Sequence, residues 1–345
     1  RRPSAQAVGA SMEIKKPYAI YLGDVPDQLA AKTGDGIADW RPDWCIGQIR
    51  LPGCGADCRL PDMAIAEAAT NGAKTLVVGV VNQGGYLPEH WIEDIVTAIS
   101  AGMDIASGMH MRLEDFPEIE AAASQNSRQL HNLRHPSQQF KTGRGEWRSG
   151  MRALTVGMDC SIGKKYTALA IAREMERREM SVDFRATGQT GVLIAERGIA
   201  IDAIVSDFIA GAAEWLSPAN DPNHWDIIEG QGSLFHAAYA GVTVGLLHGS
   251  QPDALILCHE PTRTHMRNLP HMPIPKLETA FEPYLTLARL TNPKARFAGV
   301  SVNTSNISEK EAVRLLSEIE DRFGLPAVDP IRHGPGKIVD ELLKI

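Results

Sequence analysis

The sequence predicts an α/β protein built from two parallel-sheet domains, and three features predict it. Short uninterrupted apolar runs, KTLVVGVV at residues 74–81 among them, alternate with helical patterns; strands buried on both faces read this way. The run ALTV at residues 153–156 passes through a two-glycine loop directly into a helical pattern. The length, 345 residues, is enough for two separate cores.

The elements follow in chain order. Residues 18–22 (YAIYL) form a first strand, residues 62–70 a helix and residues 74–81 a second strand. Residues 89–101 read as a helix, 103–107 as a strand and 113–133 as one long helix. This βαβα series calls for a parallel sheet covered by helices. Residues 135–150 (HPSQQFKTGRGEWRSG) lose the apolar signal, so the first domain is expected over residues 12–136 and a connection over 137–150. The second domain, residues 151–345, opens with the strand at 153–156 and a helix at 164–180. Strands at 182–186, 225–228, 254–258 and 298–302 follow, with helices at 207–215 and 308–323. Ser308 and Glu311 have the spacing of a capping box. Residues 1–11 read as a tag or a disordered tail.

Composition narrows the function. A net charge of -7 is unfavourable for a general nucleic-acid or anionic-membrane binder, since both partners demand basic surface. Apolar runs fall short of the roughly 18 residues that a spanning helix needs. Five cysteines, an odd number, fit reduced thiols in the cytoplasm.

The strongest motif is ALTVGMDCSIGKKYT, beginning at Ala153. Strand, glycine loop and helix in that order make a phosphate cradle. Gly157 permits a sharp turn and Gly163 a close approach of the main chain to an oxyanion. Asp159, Cys160, Ser161 and Ile162 form the loop between them. Amides of Ser161 to Lys165 face the anion at a helix N-terminus, with Lys164 as a point charge and Tyr166 beside it. Lys165 stands where a Ser or Thr hydroxyl normally ligates Mg²⁺. Its ammonium repels a cation, by about 4 kcal/mol per unit charge at 4 Å and an effective dielectric of 20. Thr167 lies on another helix face. The loop is therefore expected to hold a diphosphate without essential Mg²⁺, and no metal site is expected.

Other candidates cluster at strand carboxyl ends, where open α/β sheets bind ligands. Glu229 and Gln231 lie in WDIIEGQGS, with His236 just beyond; Arg185 and Gln189 lie in RATGQTG; Asn303 follows the strand at 298–302. In the first domain GCGADC, starting at Gly53, resembles GxGxxG but lacks the third glycine, and Cys54 and Cys58 have no second pair to complete a zinc site.

In the order GMDCSIGKK, RATGQTG, EGQGSL, VNTS and DPIRHGPGK, the chain resembles a bacterial and archaeal family from Pro17 to its C-terminus. Members have a Rossmann-like N-domain and a P-loop C-domain related to dethiobiotin synthetase. The chain is similar in particular to the branch of D-glutamate N-acetyltransferases, which work beside an N-acetyl-D-glutamate racemase in D-glutamate breakdown. The resemblance implies acetyl-CoA as co-substrate, its diphosphate on the cradle, and Asn303 with the region of Pro330 near the adenine. It implies an amino-acid substrate whose amine loses a proton to Glu229, Asp159 or His236. Arg185, Gln189, Gln231 and Arg263 are expected to bind that substrate. A homo-oligomer in the cytoplasm is expected. Dethiobiotin synthetase itself uses ATP and Mg²⁺ through a Thr at the position of Lys165. An ATP-dependent kinase or ligase is thus the second reading, and a non-catalytic nucleotide-binding regulator the third.

Overall fold

The computed structural model describes residues 13–81, 85–136 and 138–345. The tail expected at residues 1–11 lies outside them. By contact density the chain forms two units, one from Ala10–Gln139 with Gly188–Ala203, the other mainly from Phe140–Thr187 and Ile204–Ile345.

The first unit carries a five-stranded parallel sheet. Its strands are β1 (Tyr18–Gly23), β2 (Cys45–Arg50), β3 (Thr75–Val78), β4 (Asp104–Ser107) and β5 (Leu130–Asn132), in the order β2-β1-β3-β4-β5. β1, β3 and β4 are buried throughout, as the apolar runs of β1 and β3 require. The single helix expected over residues 113–133 is a correction. A 3₁₀ turn at Leu113–Asp115 precedes the α-helix Pro117–Asn126, and β5 follows. Pro117 cannot continue a helix begun before it, and Ser127, with φ +52°, ends the second one. The chain then returns to pair β5 with β4, Ile105 opposite Leu130.

The second unit carries a six-stranded parallel sheet and a small hairpin. Its strands are β6 (Met151–Gly157), β7 (Val182–Arg185), β8 (Trp225–Ile228), β9 (Ala254–His259), the hairpin β10 (His265–Met266) and β11 (Leu269–Pro273), β12 (Arg296–Val302) and β13 (Ala327–Val328). The sheet order β13-β12-β9-β6-β8-β7 puts β6 between β9 and β8. The cradle thus leaves the sheet beside the carboxyl ends of both neighbours. The helix Glu309–Phe323 starts on the expected capping box: Glu311 N–H donates to Ser308 Oγ at 3.3 Å, and Ser308 N–H to Glu311 Oε2 at 3.0 Å. Its apolar face buries Leu316 and Ile319 against Val300 and Val302, each aliphatic side chain worth roughly 1.5–3 kcal/mol.

Residues 140–150 pack onto the second unit. Phe140 meets Trp215 edge-on at 5.5 Å, and Arg148 Nη2 donates to the Gly249 carbonyl at 2.8 Å. Among the described residues no helix is long and apolar enough to cross a membrane.

Candidate functional site

The cradle begins where β6 ends. The Gly157 carbonyl accepts hydrogen bonds from Tyr284 Oη at 2.6 Å and Ser233 Oγ at 2.8 Å. A Cβ at Gly157 would lie 2.9 Å from Ile162 Cδ1 and 3.1 Å from Lys164 Nζ, so the loop closes only over a glycine. Ser161 (φ +52°) and Gly163 (φ +112°) turn the main chain through the left-handed region before the helix Lys164–Arg177. Such turns aim successive amides at one point, and the helix dipole adds to them. Beside Gly163 a Cβ would meet nothing within 4 Å, so this side of the loop is open. Lys164 is buried, with Nζ donating to the Asp159 carbonyl at 2.7 Å, and burial lowers its pKa from the usual lysine range. Lys165 is half-buried, its ammonium 5.1 Å from the Tyr166 ring centre. Thr167 turns to the sheet, where its hydroxyl contacts Ser301 Oγ at 2.7 Å and donates to the Gly163 carbonyl at 3.0 Å.

Asp159 holds the loop to the hairpin. Its Oδ1 accepts the Cys160 N–H at 2.7 Å; its Oδ2 accepts Arg263 Nη1 at 2.9 Å and the Arg267 main-chain N–H at 2.8 Å. Fully buried and so engaged, the carboxylate is an anchor. Arg263 reaches further along the loop, to the carbonyls of Cys160 at 2.6 Å and Ser161 at 3.1 Å. The Arg267 side chain donates to Ser161 Oγ. His236 Nε2 faces the Arg267 carbonyl at 2.9 Å, while Nδ1 accepts the Ala238 N–H at 3.1 Å. Through these two partners the imidazole buttresses the hairpin.

Glu229 stands at the end of β8, next to the cradle. Its Oε2 accepts the Thr187 N–H at 3.0 Å, and the following Gly230 donates its N–H to Thr155 Oγ1 at 2.9 Å. A Cβ at Gly230 would sit 3.1 Å from Lys164 Cδ, so the carboxylate's own loop packs on the lysine stem. Gln231 Nε2 donates to Thr187 Oγ1 at 3.2 Å.

The remaining candidates are placed differently. Arg185 is buried, with Nε on Asp226 Oδ1 at 2.6 Å and Nη2 3.1 Å from Asp183 Oδ2. Its guanidinium thus answers two internal carboxylates. Gln189 belongs to the first unit, where Oε1 accepts Arg134 Nη2 at 3.1 Å. Asn303 follows β12; its N–H donates to the His259 carbonyl at 2.8 Å and its Oδ1 accepts the Ser305 N–H at 3.1 Å.

Two residues of this site escape sequence reasoning. Tyr284 sits in an ordinary amphipathic helix, Phe281–Arg289, and only the fold brings its hydroxyl to Gly157. Arg267 occupies a two-residue hairpin turn with Asn268 at φ +60°, and an arginine in a turn normally means exposed surface. The one local signal is the TRTHMRN run itself, two arginines four apart.

Known proteins resemble this chain along nearly its whole length. Residues 139–339 match the model of a domain of unknown function, DUF1611_C, described as a P-loop domain. Residues 49–136 match its companion DUF1611_N, described as a Rossmann-like domain. The chain is 54% identical to a D-glutamate N-acetyltransferase of Tritonibacter scottomollicae, over 96% of this chain and 100% of that protein. It is 48% identical to a D-glutamate N-acetyltransferase of a Pseudoalteromonas species, again over 96% of this chain and 100% of the relative. The crystal structure of a DUF1611 family protein from Anabaena variabilis superposes with a TM-score of 0.88 at 29% identity, covering 96% of this chain and 100% of that one. Strand order, cradle and full-length similarity lead to one assignment: the chain belongs to the DUF1611 family, a Rossmann-like domain followed by a P-loop domain.

Proposed function

We propose that this protein is a D-glutamate N-acetyltransferase, moving the acetyl group of acetyl-CoA onto the amine of D-glutamate. The observation that carries the reading is a phosphate cradle with Lys165 at the metal-hydroxyl position and Thr167 facing the sheet. Two relatives of about half-identical sequence, named for that activity over their full length, support it. A diphosphate ester that needs no metal suits such a loop, and coenzyme A is one.

Acetyl-CoA docks with its diphosphate on the amides of Ser161 to Lys165 and on Lys164. The neutral amine attacks the thioester carbonyl, the C–N bond forms, the C–S bond breaks, and the nitrogen's second proton passes to the departing sulfur, which leaves as the thiol. Glu229 takes the proton that the substrate ammonium must lose, from its place at the end of β8. Gln231 contacts the amino acid beside it. Asp159 and His236, expected among the proton carriers, hold the loop and hairpin in this scheme. Arg263, expected at the substrate, serves the cradle, and Arg185 holds β7 to β8. The adenine lies toward Asn303. The reading places the protein in D-glutamate breakdown, in the cytoplasm, as a homo-oligomer.

Calorimetry with acetyl-CoA and with ATP, each in EDTA and in Mg²⁺, tests the cofactor. Acetyl-CoA binding unchanged by EDTA is expected. Mg²⁺-dependent ATP binding without acetyl-CoA binding would return the kinase or ligase reading. Thiol release over a panel of D- and L-amino acids should be fastest with D-glutamate; no release with any amine would leave a nucleotide-binding regulator.

A further inference from the structure

The hairpin over the cradle adds two guanidinium groups to the buried lysine of the loop. Arg263, just before β10, and Arg267, at the hairpin turn, both touch residues 159–161. Lys164 touches the same segment from within the loop. Against these three cations the loop offers one carboxylate, Asp159, and Glu260 lies 3.5 Å from Arg263. Burial, and then the like charge of Arg263, lower the pKa of Arg267. Three cations against two carboxylates leave one positive charge over, and an uncompensated charge in a partly buried site is costly unless an anion neutralises it.

Resting on the reading above, we infer that Arg267, presented by the β10–β11 hairpin, supplies the positive charge that Mg²⁺ supplies in phosphate-loop nucleotide enzymes, making the cradle a metal-independent receptor for a diphosphate ester. Three features of the structure converge on this role. Lys165 replaces the metal-binding hydroxyl, so the positive charge at the cradle comes from side chains of the protein. The Arg267 main chain is pinned on both sides, its N–H by Asp159 and its carbonyl by His236. Its side chain rests on Ser161 Oγ, the loop residue with φ +52°, at the apex of the cradle. A planar guanidinium fixed there offers paired donors to phosphoryl oxygens, as a point charge does not.

The test uses the full-length protein, inorganic pyrophosphate, acetyl-CoA and acetyl-pantetheine, which lacks the diphosphate. Wild type should bind pyrophosphate and acetyl-CoA in EDTA. Arg267→Gln keeps the main-chain bond to Asp159 and should weaken both ligands roughly 10- to 100-fold. Its loss of kcat/KM should be at least about tenfold larger for acetyl-CoA than for acetyl-pantetheine, a difference that a merely structural role would not produce. Arg267→Lys should recover part of the loss and covers the case in which the glutamine variant misfolds. Unchanged pyrophosphate affinity in Arg267→Gln, a lysine variant no better than the glutamine one, or wild-type pyrophosphate binding only with Mg²⁺ overturns the inference and leaves the acetyltransferase reading intact. Arg267-dependent pyrophosphate binding without acetyl-CoA binding overturns the reading and supports the inference.

Discussion

Each sheet passes a strand into a glycine-bearing turn. β6 leads into the cradle at residues 157–165, and β2 leads into GCGADC at residues 53–58. In the second turn the amides are spent on the protein. Gly55 N–H donates to the Val25 carbonyl at 2.7 Å, Asp57 N–H to Gln28 Oε1 at 2.9 Å and Cys58 N–H to Gln48 Oε1 at 2.8 Å. The α-helix that follows the turn in sequence is a short one, at Ile65–Thr70. The turn's charged neighbours include Asp35, Asp57 and Asp62 as well as Arg50. The cradle has the opposite properties: a fourteen-residue helix opening at Lys164, an open side at Gly163, and cations around it. Glycine spacing alone therefore reports close backbone packing. Where the amides point and what else accepts them decides whether an anion can bind.

Substitutions should separate the two turns. The largest effect is expected at Glu229→Gln, which keeps the bond to Thr187 but removes the base. Steady-state assay should show kcat down by roughly 10²–10⁴-fold with acetyl-CoA affinity nearly unchanged; a kcat near wild type would move the proton transfer elsewhere. Lys164→Ala comes next. Losing a buried charged donor should weaken acetyl-CoA by roughly 10- to 150-fold in calorimetry, and retained affinity would break the contrast at its centre.

Gly55→Ala probes the other turn. The added Cβ would sit 2.1 Å from the Pro26 carbonyl oxygen, so the backbone must shift. A stability loss of about 1–3 kcal/mol is expected in chemical denaturation, with acetyl-CoA affinity unaltered. A matching loss of affinity would give this turn a role in the cofactor site.

The cradle's unit also carries a buried charged group of four: Arg185, Asp183, Asp226 and His224. Burial opposes the charge on His224, but Asp183 and Asp226, 3.5 and 3.3 Å away, outweigh it and raise the pKa to about 9. Arg148 and Arg152 also act on Asp226. A raised folded-state pKa stabilises fully below the unfolded value, roughly 6.5, and that stabilisation disappears as pH rises through 9. The denaturation midpoint, followed by tryptophan fluorescence, should therefore fall between pH 7 and pH 10. His224→Gln should flatten the fall; an equal fall in that variant would assign it to other groups.

The sequence is legible where one period dominates. The buried strands β1, β3, β6, β8 and β9 appear as apolar runs, and the cradle appears as strand, glycine loop and helix. β2 escapes because CIGQIR mixes polar and apolar residues, and the helix Lys32–Trp40 because Gly34 and Gly36 dilute its pattern. At the site, the residues carried on strand ends are recoverable from the chain alone: Glu229 and the loop itself. Arg267, Tyr284 and the engaged state of Arg185 are not, because each depends on a partner 40 or more positions distant, Ser161, Gly157 and Asp226. Local pattern cannot report which distant acceptor a guanidinium or hydroxyl finds.

The smallest expected effect is also the one that defines the cradle's class. Lys165→Thr restores the hydroxyl that phosphate-loop enzymes place on Mg²⁺. Lys165 is only half-buried and lies against Tyr166, so replacing it should cost little stability. Acetyl-CoA affinity in EDTA should change by about fivefold or less, since a cation at the surface contributes roughly 0–1 kcal/mol. Mg²⁺ should then begin to strengthen ATP binding in calorimetry, because the repelling ammonium is gone and a ligand oxygen stands in its place. If Mg²⁺ still has no effect, the guanidinium of Arg267 on Ser161 is the surviving barrier, and the double variant with Arg267→Gln should remove it. If wild type already responds to Mg²⁺ as strongly as the variant, Lys165 does not set the metal preference, and the distinction between this loop and a nucleotide-hydrolysing one loses its main support.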